Sequence, residues 1–117
     1  MTQEDKELVL KDLCARLPYH VKLHYTVKRF LMEIIGLDTM SETVDILERG
    51  KHRFSAVPIE DIKPYLRPMS SMTEEEKNEL SHYDNSVQRT DFFYSHHIDC
   101  RFMIENGLAL EAPEDMY

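Results

Sequence analysis

The feature that most constrains this chain is a change of period at Pro18. Before it, Leu10, Leu13, Cys14 and Leu17 stand at i, i+3, i+4 and i+7, which places them on one face of a helix. After it, Val21, Leu23, Tyr25 and Val27 alternate with polar residues, the pattern of a strand with one buried face. Proline cannot continue the helix. The chain therefore passes from a helix into a sheet.

The helix is expected over 3–17, with Thr2 as N-cap and Glu4 and Asp5 complementing the dipole of the first turn. On this reading Cys14 sits on the apolar stripe as a small core residue. Strands are expected over 20–28, 30–37, 43–48 and 52–57, with a glycine-bearing turn at 48–51. Pro58, Pro64 and Pro68 fall within eleven residues, which excludes a long helix or a central strand there. One helical turn at 59–62 is expected, followed by an extended strap pinned to the core through Ile62, Tyr65 and Leu66.

Thr73 with Glu76 reads as a capping box opening a surface helix to about residue 83. Residues 84–90 read as loop. Asp91 is expected to cap a short helix through Tyr94, and Asp99 another to residue 106, with Phe102 and Met103 inward and Gly107 as C-cap. With 117 residues there is room for one domain, 1–117. The expected architecture is α+β: an N-terminal helix, a small curled antiparallel sheet of 4–5 strands resembling an SH3-like half-barrel, and short C-terminal helices.

Charge is unevenly spread. The net charge is −8, and residues 69–117 hold 3 basic against 11 acidic residues. Such a surface favours solubility and disfavours nonspecific nucleic-acid contact, while leaving a basic partner open. No apolar run reaches the roughly 18 residues of a membrane span. The acidic start MTQEDKE is not a secretory signal, and two distant Cys make no disulfide framework. A cytoplasmic protein with reduced thiols is expected.

Chemistry-bearing motifs are sparse. His96, His97, Asp99 and Cys100 form the densest set of candidate metal ligands. A metal site needs three or four convergent donors, and adjacent histidines point apart, so no metal is expected. Pairing Cys14 or Cys100 with a histidine gives no nucleophile without an orienting group. Glu74, Glu75, Glu76 and Glu79 belong to a helix N-terminus rather than to acid–base catalysis. No phosphate-binding or nucleophile-elbow motif is present. No catalytic residue and no cofactor are assigned.

Two surfaces stand out as candidate binding sites. Arg49, Lys51 and Arg53, with His24, Lys28 and Arg29, form a basic rim at strand ends near Tyr25 and Phe54, a composition that small nucleic-acid-binding barrels use. Tyr65 and Arg67, on the proline-rich strap beside the Thr73 helix, form the second.

Three stretches carry a resemblance: Lys11-Asp12-Leu13-Cys14-Ala15-Arg16-Leu17-Pro18-Tyr19, the run from Ile62 to Thr73 (IKPYLRPMSSMT), and Gly107-Leu108-Ala109-Leu110-Glu111-Ala112-Pro113-Glu114. With these the chain resembles a family of short uncharacterised proteins of gut Bacteroidales, often encoded in phage-like or other mobile regions. The resemblance implies an accessory protein of a mobile element and carries no activity or site residue with it. The expected function is non-enzymatic protein binding, with a small nucleic-acid-binding barrel as the alternative.

Overall fold

The computed structural model describes residues 1–27, 30–48 and 52–117. Helix α1 (Gln3–Arg16) opens with a reciprocal capping box between Thr2 and Asp5, and a 3-10 turn at Leu17–Tyr19 carries the chain past Pro18. Strands β1 (Lys22–Tyr25), β2 (Phe30–Asp38), β3 (Thr43–Glu48) and β4 (Arg53–Pro58) follow as an antiparallel meander. A 3-10 turn at Ile59–Asp61 leads to β5 (Ile62–Leu66), which returns to pair with β1.

The sheet has six strands rather than four or five, in the order β4-β3-β2-β1-β5-β6, and it does not close. The extra strand, β6 (Leu110–Glu111), runs parallel to β5. A two-residue strand leaves no alternation to read. The fold is α+β, as expected.

One face of the sheet is buried. Val21, Leu23, Met32, Ile34, Val44, Ile46, Ile62 and Leu66 pack against Val9, Leu10 and Leu13 of α1 and against Met103, Leu108 and Ala109. Burying large aliphatic side chains contributes roughly 1.5–3 kcal/mol each. Ion pairing of Lys6 with Glu60 (2.8 Å) holds α1 to the turn before β5.

Several expectations need correction. Cys14 is exposed; the buried stripe of α1 runs through Val9, Asp12, Leu13 and Arg16, so the helix is turned from the purely apolar reading. The proline-rich strap is a paired strand. Pro64 sits opposite Leu23 of β1, and β6 reaches only Tyr65 and Leu66. At Pro64 the strand is an edge on its far side, where a missing N–H costs no ladder bond.

Helix α2 (Glu74–Ser81) carries the expected Thr73–Glu76 capping box. Residues 86–90, read as loop, belong instead to α3 (Ser86–Ser95), which Asn85 caps by accepting from the Gln88 N–H. No helix forms at 99–106. Asp99 does accept from the Met103 and Ile104 N–H groups (2.8 and 3.0 Å), but Phe102 turns left-handed (φ 56°) and stands exposed. Gly107, at φ 75°, closes this turn. The turn expected at 48–51 lies outside the described residues beyond Glu48.

Candidate protein interface

Among the described residues the opposite face of the sheet is half-buried or exposed, and Lys22 at its margin meets the Met116 carbonyl and the Tyr117 ring. Pairing aligns Arg53 with Leu47, Leu47 with Glu33, and Glu33 with Lys22. One row across four strands therefore alternates cation, apolar, anion and cation. A second row places Leu31, His24 and Lys63 side by side. None of these side chains is buried, and Leu31 and Ile35 on β2 are 50% and 40% exposed. Tyr65 projects to this face from β5, its ring edge-on to His24 at 6.3 Å. Strand alternation forces the arrangement: with Met32 and Ile34 inward, Leu31, Glu33 and Ile35 have nowhere to go but out.

Arg53 is exposed on this face and 3.5 Å from Asp45. Arg49 and Lys51, with Lys28 and Arg29, lie outside the described residues. Tyr25 and Phe54 are not rim aromatics; Tyr25 is buried, and the two rings meet edge to face at 5.6 Å within the core.

Arg67 lies elsewhere and is fully engaged. Its guanidinium forks onto both Glu76 oxygens (2.7 and 2.9 Å) and also donates to the Ser71 carbonyl and hydroxyl. The hydrogen bond from Arg67, with the Thr73 N–H adding to it, holds the Glu76 carboxyl down at about 2. On the backbone, the Arg67 N–H donates to His97 O, and its carbonyl accepts from the Asp99 N–H. Arg67 thus clamps α2 and the 97–99 turn to the end of β5.

A second clamp is buried outright. Asp12 and Arg16, one helical turn apart, meet at 2.7 Å with neither side chain exposed. Arg16 also donates to the Ile98 carbonyl (2.6 Å) and lies 5.0 Å over the Tyr94 ring. Arg101 approaches the other Asp12 oxygen at 3.5 Å and donates to the Tyr94 hydroxyl. Burial pushes the Asp12 carboxyl up, against the pull of Arg16. Residue-type reading missed this pair, though the Asp-to-Arg i,i+4 spacing on a face shared with Val9 and Leu13 was its signal.

The His96, His97 and Cys100 cluster does not converge. His96 Nδ1 lies 3.2 Å from Glu76. His97 stacks on Tyr117, rings 3.7 Å apart and 13° from parallel. Burial, reinforced by Arg16, Lys22 and Arg67, holds His97 down at about 4. Cys100 Sγ faces Arg16 Nη2, and burial pushes its thiol up, away from the reactive thiolate. Among the described residues, no three His, Cys, Asp or Glu gather as a metal site.

Comparison of the chain with protein-family models, with curated proteins and with solved structures finds no match. No helix among the described residues is long and apolar enough to cross a membrane.

Proposed function

We propose that the chain is a non-enzymatic protein-binding factor whose interface is the open sheet face. The observation that carries this reading is the mixture there: exposed Leu31 and Ile35 beside Leu47 and Tyr65, edged by Lys22, Lys63, Arg53 and Asp45. Specific interfaces combine an apolar centre with a polar rim in this way. β5 returning to β1 supports reading the strands as an SH3-like half-barrel with this face outward. The resemblance noted in the sequence supports an accessory role in a phage or mobile element, working in the cytoplasm.

A photo-crosslinking residue at Leu31, with one at exposed Val87 of α3 as control, tests the proposal in cells that express the chain. A discrete protein adduct at position 31 and none at 87 is the expected result; no adduct at 31 overturns it. The nucleic-acid reading keeps one specific support, the cations Lys22, Lys63 and Arg53 on the same face. A micromolar complex with single-stranded or duplex DNA at low salt, falling steeply with salt and lost in an Arg49, Lys51 and Arg53→Ala variant, would favour it instead.

A further inference from the structure

The segment from Leu110 to Tyr117 is bound to the body of the protein as a ligand would be. Leu108 and Ala109 belong to the core, but beyond them the backbone adds to β5 as a short parallel strand. The Ala112 N–H then donates to the Leu66 carbonyl at 2.8 Å. Five residues on, the Tyr117 hydroxyl accepts from the Lys22 N–H (2.9 Å) and donates to the Tyr65 carbonyl (2.8 Å). Pairing of β1 with β5 stops at Leu23 and Pro64, so Lys22 and Tyr65 are the next pair in register. The phenol bridges that pair in place of a direct ladder bond. Lys22 Nζ adds a bond to the Met116 carbonyl, and His97 supplies the stacking plate.

Little of this segment is buried, since Glu111, Pro113, Glu114 and Asp115 are all exposed. A groove of ≈ 620 Å³ opens between the segment and the Arg67, Ser71 and Thr73 side.

We propose that the β5 edge and the Lys22–Tyr65–His97 slot form a receptor for an extended segment of a protein partner, occupied in cis by residues 110–117. The partner segment runs parallel to β5, carries a small residue where Ala112 sits, and places an aromatic hydroxyl five residues later. This is strand addition, in which main-chain bonds give affinity and one side-chain pocket gives selectivity. The cis occupant keeps the slot closed until a competitor displaces it, and its effective concentration sets the threshold. The inference rests on the chain being a protein-binding factor, and it adds where and what kind of segment is bound.

The probe is a fluorescent peptide of sequence LEAPEDMY, read by anisotropy against the full chain and its Tyr117→Ala variant. Binding to Tyr117→Ala at least tenfold tighter than to the parent is expected, as is loss of binding when the peptide's own tyrosine is alanine. Equal affinities for the two chains, or binding to neither, overturn the proposal. If circular dichroism shows that Tyr117→Ala does not fold, Tyr117→Phe replaces it. That variant keeps the stack and loses both hydroxyl bonds, so faster exchange of the Lys22 amide and at least threefold tighter peptide binding are expected. Unchanged values for both overturn the proposal. Crosslinking at Leu31 reads the open face and the peptide reads the slot, so failure of the slot is distinguishable from failure of the protein-binding reading.

Discussion

Two arginine–carboxylate clamps hold this fold, and their carboxyl groups are displaced in opposite directions. Asp12 meets Arg16 with both side chains fully buried, and its pKa is raised. Glu76 meets Arg67 with the side chains 14% and 22% exposed, and its pKa is lowered to about 2. The chemistry is the same in both, so the difference comes from water and geometry. Glu76 receives two parallel guanidinium bonds and the Thr73 N–H while keeping some solvent. Asp12 receives one short bond in a dry site, where desolvation outweighs the attraction. In the outer clamp attraction outweighs burial, whereas in the inner one burial works against the charged carboxyl.

The comparison breaks most sharply at Arg16. Arg16→Ala leaves the Asp12 charge buried beside Arg101 alone, and a loss of about 3–5 kcal/mol in denaturant melts is expected. The double variant Asp12→Leu/Arg16→Met removes both charges with similar volume, and it should melt close to the parent or above it. A double variant as unstable as the single would show that the inner pair stabilises outright, as the outer one does.

Leu66 supplies the apolar yardstick for both clamps. It is fully buried in β5, next to Arg67. Leu66→Ala should cost about 2–5 kcal/mol, from lost burial and the cavity left behind. A variant that melts like the parent would mean that β5 is not part of the core.

The outer clamp is sharpened by pH. Glu76 titrates at about 2 when folded against an ordinary value of 4.5. Its contribution is complete above about pH 4.5 and is lost as pH falls through about 2. Asp12 has the opposite sign: its raised folded pKa makes folding take up a proton, so its contribution grows as pH falls toward the ordinary carboxylate range. Glu76→Gln should cost about 1.5–3 kcal/mol at neutral pH, as the loss of a charged hydrogen bond does. It should also flatten the acid limb of the stability curve. An unchanged acid limb would assign that limb to other carboxylates.

What could be read from the sequence follows the same division between simple and mixed environments. β3 occupies the expected 43–48, Thr2 caps α1 as expected, and the capping box expected at Thr73 forms. Those signals are local and independent of tertiary partners. The inner clamp was hidden because a buried Asp and Arg mimic a solvated helix face until the opposite wall, Ile98 and Tyr94, is in place. The first half of α3 was hidden because only Phe92 and Tyr94 of its ten residues are buried, both in the half that was read as helix. Asp99 illustrates a correct bond in a different element: its carboxylate does take the two N–H groups a cap would take. A left-handed residue at Phe102 diverts the backbone from a helix. The candidate interface was half legible. Tyr65 and Arg53, expected on two separate surfaces, both reach the open face, whereas Arg67, expected beside the Thr73 helix with Tyr65, does lie at that helix but is consumed by Glu76.

The smallest expected effect separates clamp from surface. Arg53 has the same guanidinium as Arg16 and Arg67, yet 61% of its side chain is exposed and Asp45 is 3.5 Å away. A single contact from a guanidinium mostly in water gains little over hydration and loses side-chain entropy on pairing. Arg53→Ala should therefore move stability by no more than about 0.5 kcal/mol. If the open sheet face is the interface, the same variant should weaken partner capture at Leu31 while leaving the melt unchanged. That outcome would place Arg53 at the rim of the interface, where a charge governs association more than folding. A melt shifted as far as that of Glu76→Gln would instead make the Arg53–Asp45 pair a third clamp, with Asp45 the residue to replace next.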